Sequence, residues 1–133
     1  MSWYVDTSAF VKLIVEEPES AAMRAWWDDH HPRVFSSDLL RTETVRATRR
    51  VSTEAEVAAH QALETIDLLS FGVDTYGQAG TIEPRELRTL DALHLVAAVA
   101  AGDDLEGVVT YDDRLAGACR ARSIAIAAPA RRR

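Results

Sequence analysis

Short apolar stretches alternate with segments of helical periodicity along this chain, and that alternation limits the folds open to it. The stretches predicted to be strands are residues 2–5, 34–36, 69–73, 108–110 and 124–127. Strands that alternate with helices form a parallel sheet whose two faces are both covered by helices. The sequence therefore predicts an α/β fold: a single three-layer domain with a mostly parallel, five-stranded sheet and helices on both faces.

Helices are predicted between these strands from apolar residues spaced three and four positions apart. After a first helical segment that follows Asp6, they run over residues 19–30, 37 or 38 to about 50, 52 or 53 to about 68, 74 or 75 to 82, 89–101 and 112–122. Ser, Thr or Asp stands at most of these starts, as is typical of helix N-termini.

The length and composition predict a single domain and a cytoplasmic location. A chain of 133 residues, 47% of them apolar, has the size of a single domain. Residues 1–129 are predicted to form it, and residues 130–133 a loose basic tail. The sequence has neither a membrane-length apolar run nor a signal-like start, so we expect a cytoplasmic protein with no membrane contact. The net charge of −6 argues against a wholly basic nucleic-acid-binding surface but not against nucleic acid as a substrate.

Four acidic residues stand near predicted strand ends or helix starts: Asp6, Glu43, Asp91 and Asp112. In an open parallel sheet, such positions meet in the crevice beyond the carboxyl ends of the strands. Carboxylates that converge there repel one another unless cations lie between them. The sequence therefore predicts a divalent-metal site.

Glu43 carries the strongest signal of the four. Leu40 and Ala47 share its helical face, so the apolar side of that helix carries a carboxylate. Such a group is costly to bury without a cation or a strong hydrogen-bond donor. The alternative for Glu43 is a salt bridge to Arg46, three residues on. The alternative for Asp91 is a favourable interaction with the dipole of its own helix.

The ligand type indicates the ion and the chemistry. Oxygen ligands with no Cys or His at ligand spacing favour Mg²⁺ or Mn²⁺ over zinc, and the four carboxylates could hold one or two such ions per site. These ions stabilise charge on phosphoryl oxygens and lower the pKa of an attacking water, which suits phosphodiester hydrolysis.

Several short motifs, taken together and in order, resemble a known family. They are Tyr4-Val5-Asp6-Thr7-Ser8-Ala9, Glu43 followed by Arg46, Leu90-Asp91-Ala92-Leu93-His94-Leu95, and Thr110-Tyr111-Asp112 before Arg114 and Leu115. The pattern spans the whole chain and resembles the PIN-domain ribonucleases, in particular the VapC-type toxins of bacterial toxin–antitoxin pairs.

The resemblance implies a Mg²⁺- or Mn²⁺-dependent endoribonuclease toxin that forms a homodimer and is inhibited by a small VapB-like antitoxin. It implies that the catalytic, metal-binding acids are Asp6, Glu43, Asp91 and Asp112, and that Thr7 or Ser8, with Thr110, hydrogen-bonds them or a bound water. Asp113 adjoins Asp112, and either could be the fourth acid while the other caps the helix. The family pattern favours Asp112.

Two tryptophans suggest a partner surface. Trp26 and Trp27 are neighbours on a predicted helix and cannot both face one core, so one of them could line a partner-binding groove with Phe10, Leu13 and Ile14. The alternative places both tryptophans in the core.

The C-terminal arginines Arg131, Arg132 and Arg133 are predicted to hold RNA phosphates.

His94 is interpreted as a packed or hydrogen-bonded core histidine rather than a catalytic base. The alternative function for the chain is a module that binds RNA or protein and blocks translation without cleavage.

Overall fold

The computed structural model describes residues 1–131, and its centre is one sheet of five strands. The strands are β1 Ser2–Val5, β2 Val34–Ser37, β3 Asp67–Leu69, β4 Leu105–Val109 and β5 Ala125–Ala127. Their order is β3-β2-β1-β4-β5, and every strand pairing within residues 1–131 is parallel. The predicted α/β architecture is confirmed.

Seven α-helices occur within residues 1–131 and cover the sheet. They are α1 Thr7–Phe10, α2 Ser20–His30, α3 Leu39–Arg49, α4 Thr53–Leu63, α5 Val73–Thr81, α6 Thr89–Val99 and α7 Asp113–Ala121. Short 3₁₀ turns occur at Val11–Leu13, His31–Arg33 and Gly102–Asp104. In this part of the chain, no helix has both the length and the apolar character that crossing a bilayer requires.

The core forms two layers because neighbouring residues of a strand point to opposite faces of the sheet. Val5 and Val109 pack on one face, and Tyr4 and Val108 pack on the other. The first layer is completed by Phe10, Met23 and Leu40 from α1, α2 and α3, and the second by Leu95, Leu115 and Cys119 from α6 and α7. The predicted three-layer arrangement is therefore confirmed.

The strand order locates the functional edge. The chain adds β2 and β3 on one side of β1 and then returns to place β4 on the other side. Such a reversal of order opens a crevice at the carboxyl ends of the two strands that flank it. Asp6 directly follows β1, and Asp112 lies three residues after Val109, the last residue of β4.

The predicted boundary between α4 and β3 is wrong. The helix ends at Leu63 rather than near residue 68, and the strand spans Asp67–Leu69 rather than 69–73. Ile66 and Leu68 continue the apolar pattern of the helix, which explains the error. A turn nevertheless follows the helix, in which the amide and the hydroxyl of Thr65 both donate to the carbonyl oxygen of Ala62, at 3.0 and 2.7 Å.

The predicted start of α5 is also wrong. Neither Asp74 nor Thr75 is its N-cap, since the helix begins at Val73 and Gly72 occupies the cap position. The carbonyl of Gly72 accepts the first helical bond, from Tyr76 N at 3.4 Å, and also accepts from Thr75 N at 3.1 Å. Asp74 lies in the first turn, where its charge interacts favourably with the helix dipole.

Candidate active site

Asp6 is the most enclosed of the four predicted acids. It is 4% exposed, and its side chain caps α1 by accepting from Ala9 N at 3.1 Å and from Ser8 Oγ at 2.7 Å. Thr110 Oγ1 donates to the other carboxylate oxygen at 2.5 Å. Burial raises the pKa of Asp6, although the charge of nearby His94 and these hydrogen bonds act in the opposite direction. The carboxylate of Asp6 is therefore held in place at the end of β1, where burial disfavours its ionised form.

Glu43 lies on α3 and is held by two donors. Its Oε1 accepts from Thr7 Oγ1 and from His94 Nε2, each at 2.7 Å. Burial pushes the pKa of Glu43 upward, but the hydrogen bonds from His94 and Thr7 and the charge of His94 together hold it below its ordinary value. The alternative of a salt bridge to Arg46 is wrong, because Arg46 is exposed and the partners of Glu43 are Thr7 and His94.

Asp112 and Asp113 are adjacent but face different surroundings. Asp112 caps α7, with Oδ1 accepting from Arg114 N at 2.8 Å and Leu115 N at 3.3 Å. The side chain of Asp113 is 86% exposed and forms an ion pair with Arg131, with an N–O distance of 3.0 Å. Asp112 is thus both the helix cap and the acid next to the predicted site, while Asp113 faces the C-terminal residues.

Asp91 lies in the first turn of α6 and is partly buried. Burial raises its pKa, as do the charges of Asp112 and Asp6, whereas the charges of His94 and Arg114 lower it. The net effect is a raised pKa at a position where the helix dipole by itself favours a charged Asp. Asp91 is therefore an acid at a place where negative charge is in excess.

Three hydroxyls connect these acids, as the resemblance implied. Thr7 bonds Glu43, and Ser8 and Thr110 both bond Asp6. The Thr110 hydroxyl also accepts from the amide of Asp112 at 3.0 Å, so one side chain links the acids that follow β1 and β4.

The four acids lie near the carboxyl ends of the central strands, but their oxygens do not surround a common point. Asp6 and Asp112 are joined through Thr110, and Glu43 is joined through His94 to the helix that carries Asp91. Within residues 1–131, no three His, Cys, Asp or Glu side chains stand close enough together to hold an ion as they are placed. An ion bound at this place would therefore require at least one of the carboxylates to move closer to the others.

The donor set nevertheless fits a hard divalent cation. Asp6, Glu43, Asp91 and Asp112 supply only oxygen, and both nitrogens of the nearby His94 are already bonded, to Tyr4 and to Glu43. Oxygen ligands with excess negative charge suit Mg²⁺ or Mn²⁺ rather than zinc.

The contacts of His94 were not predicted from the sequence. Its burial and hydrogen bonding are confirmed, since it is 4% exposed and bonds both Tyr4 and Glu43. The available signal was its position three residues after Asp91, which places both side chains on one face of α6. The partner 51 positions away in the sequence could not be inferred from that spacing.

The two tryptophans have different environments, and both are half-buried. Trp26 stacks on His30 with ring centroids 4.1 Å apart and meets Trp3 edge-on at 5.5 Å. Trp27 borders a groove of about 350 Å³ whose other lining residues are Phe10, Leu13, Arg24, Asp28, Ala62 and Thr65. Of the predicted groove residues, Trp26 and Ile14 do not line it.

Arg131, the last residue that the structure describes, is hydrogen-bonded to the domain. Arg131 donates to the carbonyl oxygen of Tyr111 at 2.6 Å and to Asp113 at 3.0 Å. Arg132 and Arg133, which were predicted to hold RNA phosphates with it, lie outside the described residues.

Comparison with known proteins identifies the family. The family model described as the PIN domain matches residues 3–121, a range that includes all four acids. Ribonuclease VapC46 of Mycobacterium tuberculosis is 45% identical over 126 residues, covering 95% of this chain and 96% of the relative. Ribonuclease VapC35 of the same species is 40% identical over 133 residues and covers 98% of both chains.

Solved structures show the same fold. Mycobacterium tuberculosis VapC20, described as a sarcin–ricin loop cleaving toxin, matches with a TM-score of 0.75 and 22% identity, covering 88% of this chain and 95% of VapC20. PAE2754 from Pyrobaculum aerophilum matches with a TM-score of 0.56 and 18% identity, covering 89% of this chain and 79% of that one. At these identities the likeness concerns the fold alone.

The parallel sheet and its acidic edge are those of a PIN domain, the class that the family model detects. The chain belongs to the PIN-domain family, as a ribonuclease toxin of the VapC type. PIN-domain ribonucleases generally use divalent metal ions, and the VapC type implies an antitoxin partner.

Proposed function

We propose that Asp6, Glu43, Asp91 and Asp112 bind one or two Mg²⁺ or Mn²⁺ ions, and that the chain uses them to hydrolyse RNA phosphodiester bonds. The observation that carries the proposal is the convergence of the four acids: Thr110 bonds both Asp6 and Asp112, and His94 links Glu43 to the helix of Asp91. The pKa of Asp91, raised by burial and by the charges of Asp112 and Asp6, supports it. Carboxylates that disfavour one another's ionised form in this way become strong ligands once a cation is present.

The protein's own groups prepare this site. Thr110 and Ser8 fix both oxygens of Asp6, and the cap of α7 fixes one oxygen of Asp112. Thr7 and His94 fix one oxygen of Glu43. When bound, the divalent ion supplies charge stabilisation at the phosphoryl oxygens and a lowered pKa for the attacking water. No side chain of the protein has to act as a nucleophile.

Exchanging Asp112 and Asp113 separately for Asn tests the proposal with a matched pair. Asn also caps helices well, so α7 should persist in Asp112→Asn. We expect Asp112→Asn to reduce RNA cleavage by about a hundredfold, because one metal ligand loses its charge. At saturating RNA, Asp113→Asn should cleave at the wild-type rate, because that exposed side chain lies outside the proposed metal site and its loss releases Arg131 for RNA binding only.

The measurement is the rate of cleavage of total bacterial RNA by purified protein with Mn²⁺, followed by mapping of the new RNA ends. Equal rates for both variants and the wild type would contradict the proposed site. Inhibition of cell-free translation by intact Asp112→Asn that equals the wild-type inhibition would instead support a toxin that acts by binding alone.

RNA contact is proposed for the C-terminal arginines, with one structural condition. Arg131 donates from Nη1 to Tyr111 and from Nη2 to Asp113, so a phosphate that binds at Nη2 competes with Asp113. We also propose that residues 130–133 form a basic tail, and that the protein acts in the cytoplasm as a homodimer.

The antitoxin is proposed to bind the groove beside Trp27. Phe10, Leu13 and Ala62 give the groove an apolar surface, and Arg24 and Asp28 supply charge at its border. An apolar groove between helices suits an amphipathic segment of a VapB-like antitoxin.

Substituting Ala for each tryptophan in turn tests the groove. Trp27→Ala should weaken antitoxin binding by at least about thirtyfold, since buried tryptophans at interfaces commonly contribute 2 kcal/mol or more. Trp26→Ala is the control: it also removes a half-buried tryptophan, but one outside the groove. Calorimetric titration with the co-expressed antitoxin gives both affinities, and equal losses would refute this location.

A further inference from the structure

A chain of buried hydrogen bonds leads from the end of β2 to Glu43. The Ser37 hydroxyl lies 2.9 Å from the Tyr4 hydroxyl, which lies 2.6 Å from His94 Nδ1. The opposite ring nitrogen of His94 bonds Glu43 Oε1 at 2.7 Å. Ser37 and Tyr4 are 0% exposed, and His94 is 4% exposed. This chain ties the acid on α3 to the centre of the sheet.

The direction of these bonds follows from the chemistry of the groups. An ionised carboxylate only accepts, so His94 Nε2 carries the hydrogen of the Glu43 bond. In neutral His94, Nδ1 then accepts from Tyr4, whose oxygen accepts from Ser37. In the imidazolium form the bonds among Nδ1, Tyr4 and Ser37 reverse, but Nε2 still donates to Glu43. The contact with Glu43 is therefore the same in both forms.

The geometry leaves the carboxylate one orientation. Tyr4 and His94 meet edge-to-face, with ring centroids 5.7 Å apart and planes at 70°, so the imidazole cannot turn without losing both of its hydrogen bonds. Thr7 and His94 donate to the same oxygen of Glu43. These two donors fill the two acceptor positions of Oε1, and within residues 1–131 Oε2 accepts no hydrogen bond and is the oxygen available to a ligand.

We propose that Tyr4 and His94 are positioning residues for Glu43, which hold Oε1 so that Oε2 is presented to the divalent ion. The proposal rests on the metal-binding role of Glu43 proposed above. A free Glu side chain loses rotational freedom when it binds an ion, and a side chain that is already fixed does not. Partners that orient a metal ligand commonly change metal affinity by ten- to a hundredfold.

Two amide substitutions at His94 separate positioning from simple packing. The amide nitrogen of Gln reaches the place of Nε2, whereas that of Asn reaches the place of Nδ1. His94→Gln therefore keeps a donor for Glu43 and gives up the bond to Tyr4, and His94→Asn does the reverse. Each variant loses one buried hydrogen bond, so a merely structural role predicts similar behaviour for both.

The metal-free proteins are compared first, by crystallography. We expect Glu43 to keep its hydrogen bond to residue 94 in His94→Gln and to adopt other rotamers in His94→Asn. Mn²⁺ affinity by calorimetry should fall about three- to tenfold for His94→Gln, which keeps the donor for Glu43 but loses the bond to Tyr4, and about thirty- to a hundredfold for His94→Asn. An unmoved Glu43 in His94→Asn, or equal Mn²⁺ affinities for the two variants, would overturn the proposal.

Tyr4→Phe provides a second variant that removes a single hydroxyl, should His94→Asn fail to fold. Without that hydroxyl the imidazole loses its anchor, and Mn²⁺ affinity should fall about three- to tenfold, with Glu43 less ordered in metal-free crystals; no change in either would overturn the proposal. If the wild type itself bound no Mn²⁺ while Glu43 still moved in His94→Asn, the proposed metal site would fail and the positioning of Glu43 would stand.

Discussion

Replacing Asp91 with Asn is expected to lower metal-dependent RNA cleavage by a factor on the order of a thousand and to make the metal-free protein more stable at neutral pH. Cleavage falls because a charged ligand is lost from the proposed site. Stability rises because burial and the charges of Asp112 and Asp6 oppose ionisation of Asp91 in the folded chain. A residue that costs stability and supports activity is typical of a functional site.

The stability effect has a defined pH dependence. The pKa of Asp91 is raised above its ordinary value of 3.8, so the folded chain binds this proton more tightly than the unfolded chain does. The stabilisation from this proton is fully present below pH 3.8 and is lost as the pH rises through the raised, folded-state pKa. Wild type and Asp91→Asn should therefore differ little at the acidic end and diverge as the pH rises.

Thermal unfolding of the metal-free proteins between acidic and neutral pH measures this divergence. Asp74→Asn is the matched control, because Asp74 also lies in the first turn of a helix but is exposed. It should lose a little stability through the helix dipole and cleave RNA normally. A lower melting temperature for Asp91→Asn at neutral pH, or undiminished cleavage, would contradict this interpretation of Asp91.

Removing divalent ions is expected to reduce RNA cleavage to the rate seen without protein. A chelator takes away the charge stabilisation and the activated water, and the proposed reaction has no other source of a nucleophile. Added Mg²⁺ or Mn²⁺ should restore cleavage. Both ions should also raise the melting temperature, since a ligand at a hundred times its Kd stabilises the folded state by about 2.7 kcal/mol.

The ion effect should weaken in acid and in the Asp91→Asn variant. Burial raises the pKa of both Asp6 and Asp91, so protons compete with the ion as the pH falls through those values. Melting curves at increasing Mn²⁺ concentration, with Asp91→Asn as the control, measure the competition. Cleavage that persists in excess chelator would show that no dissociable ion is needed.

The sequence predicted the central sheet well because its buried strands combine short apolar runs with clear helical neighbours. It failed around residues 63–73, where the edge strand Asp67–Leu69 is short and partly exposed and its leucines extend the apolar pattern of α4. Its residue types therefore did not distinguish a helix from a strand. Long-range packing decided the boundary.

The candidate site shows the same limit. Predicted positions at strand ends and helix starts selected the four acids as candidates, since topology brings such positions together. The hydrogen-bond partner of Glu43 could not be predicted in this way. Spacing on α3 offered Arg46 as a partner, whereas in the fold His94 of α6 bonds Glu43. Likewise, helical spacing could not decide whether Trp26 or Trp27 lines the groove.

Crystals of the wild-type protein soaked in Mn²⁺ test the central claim most directly. Anomalous scattering should locate at least one ion within about 2.5 Å of carboxylate oxygens from Asp6, Glu43, Asp91 and Asp112. An ion bound elsewhere, or these four carboxylates unchanged and without an ion at saturating Mn²⁺, would contradict it.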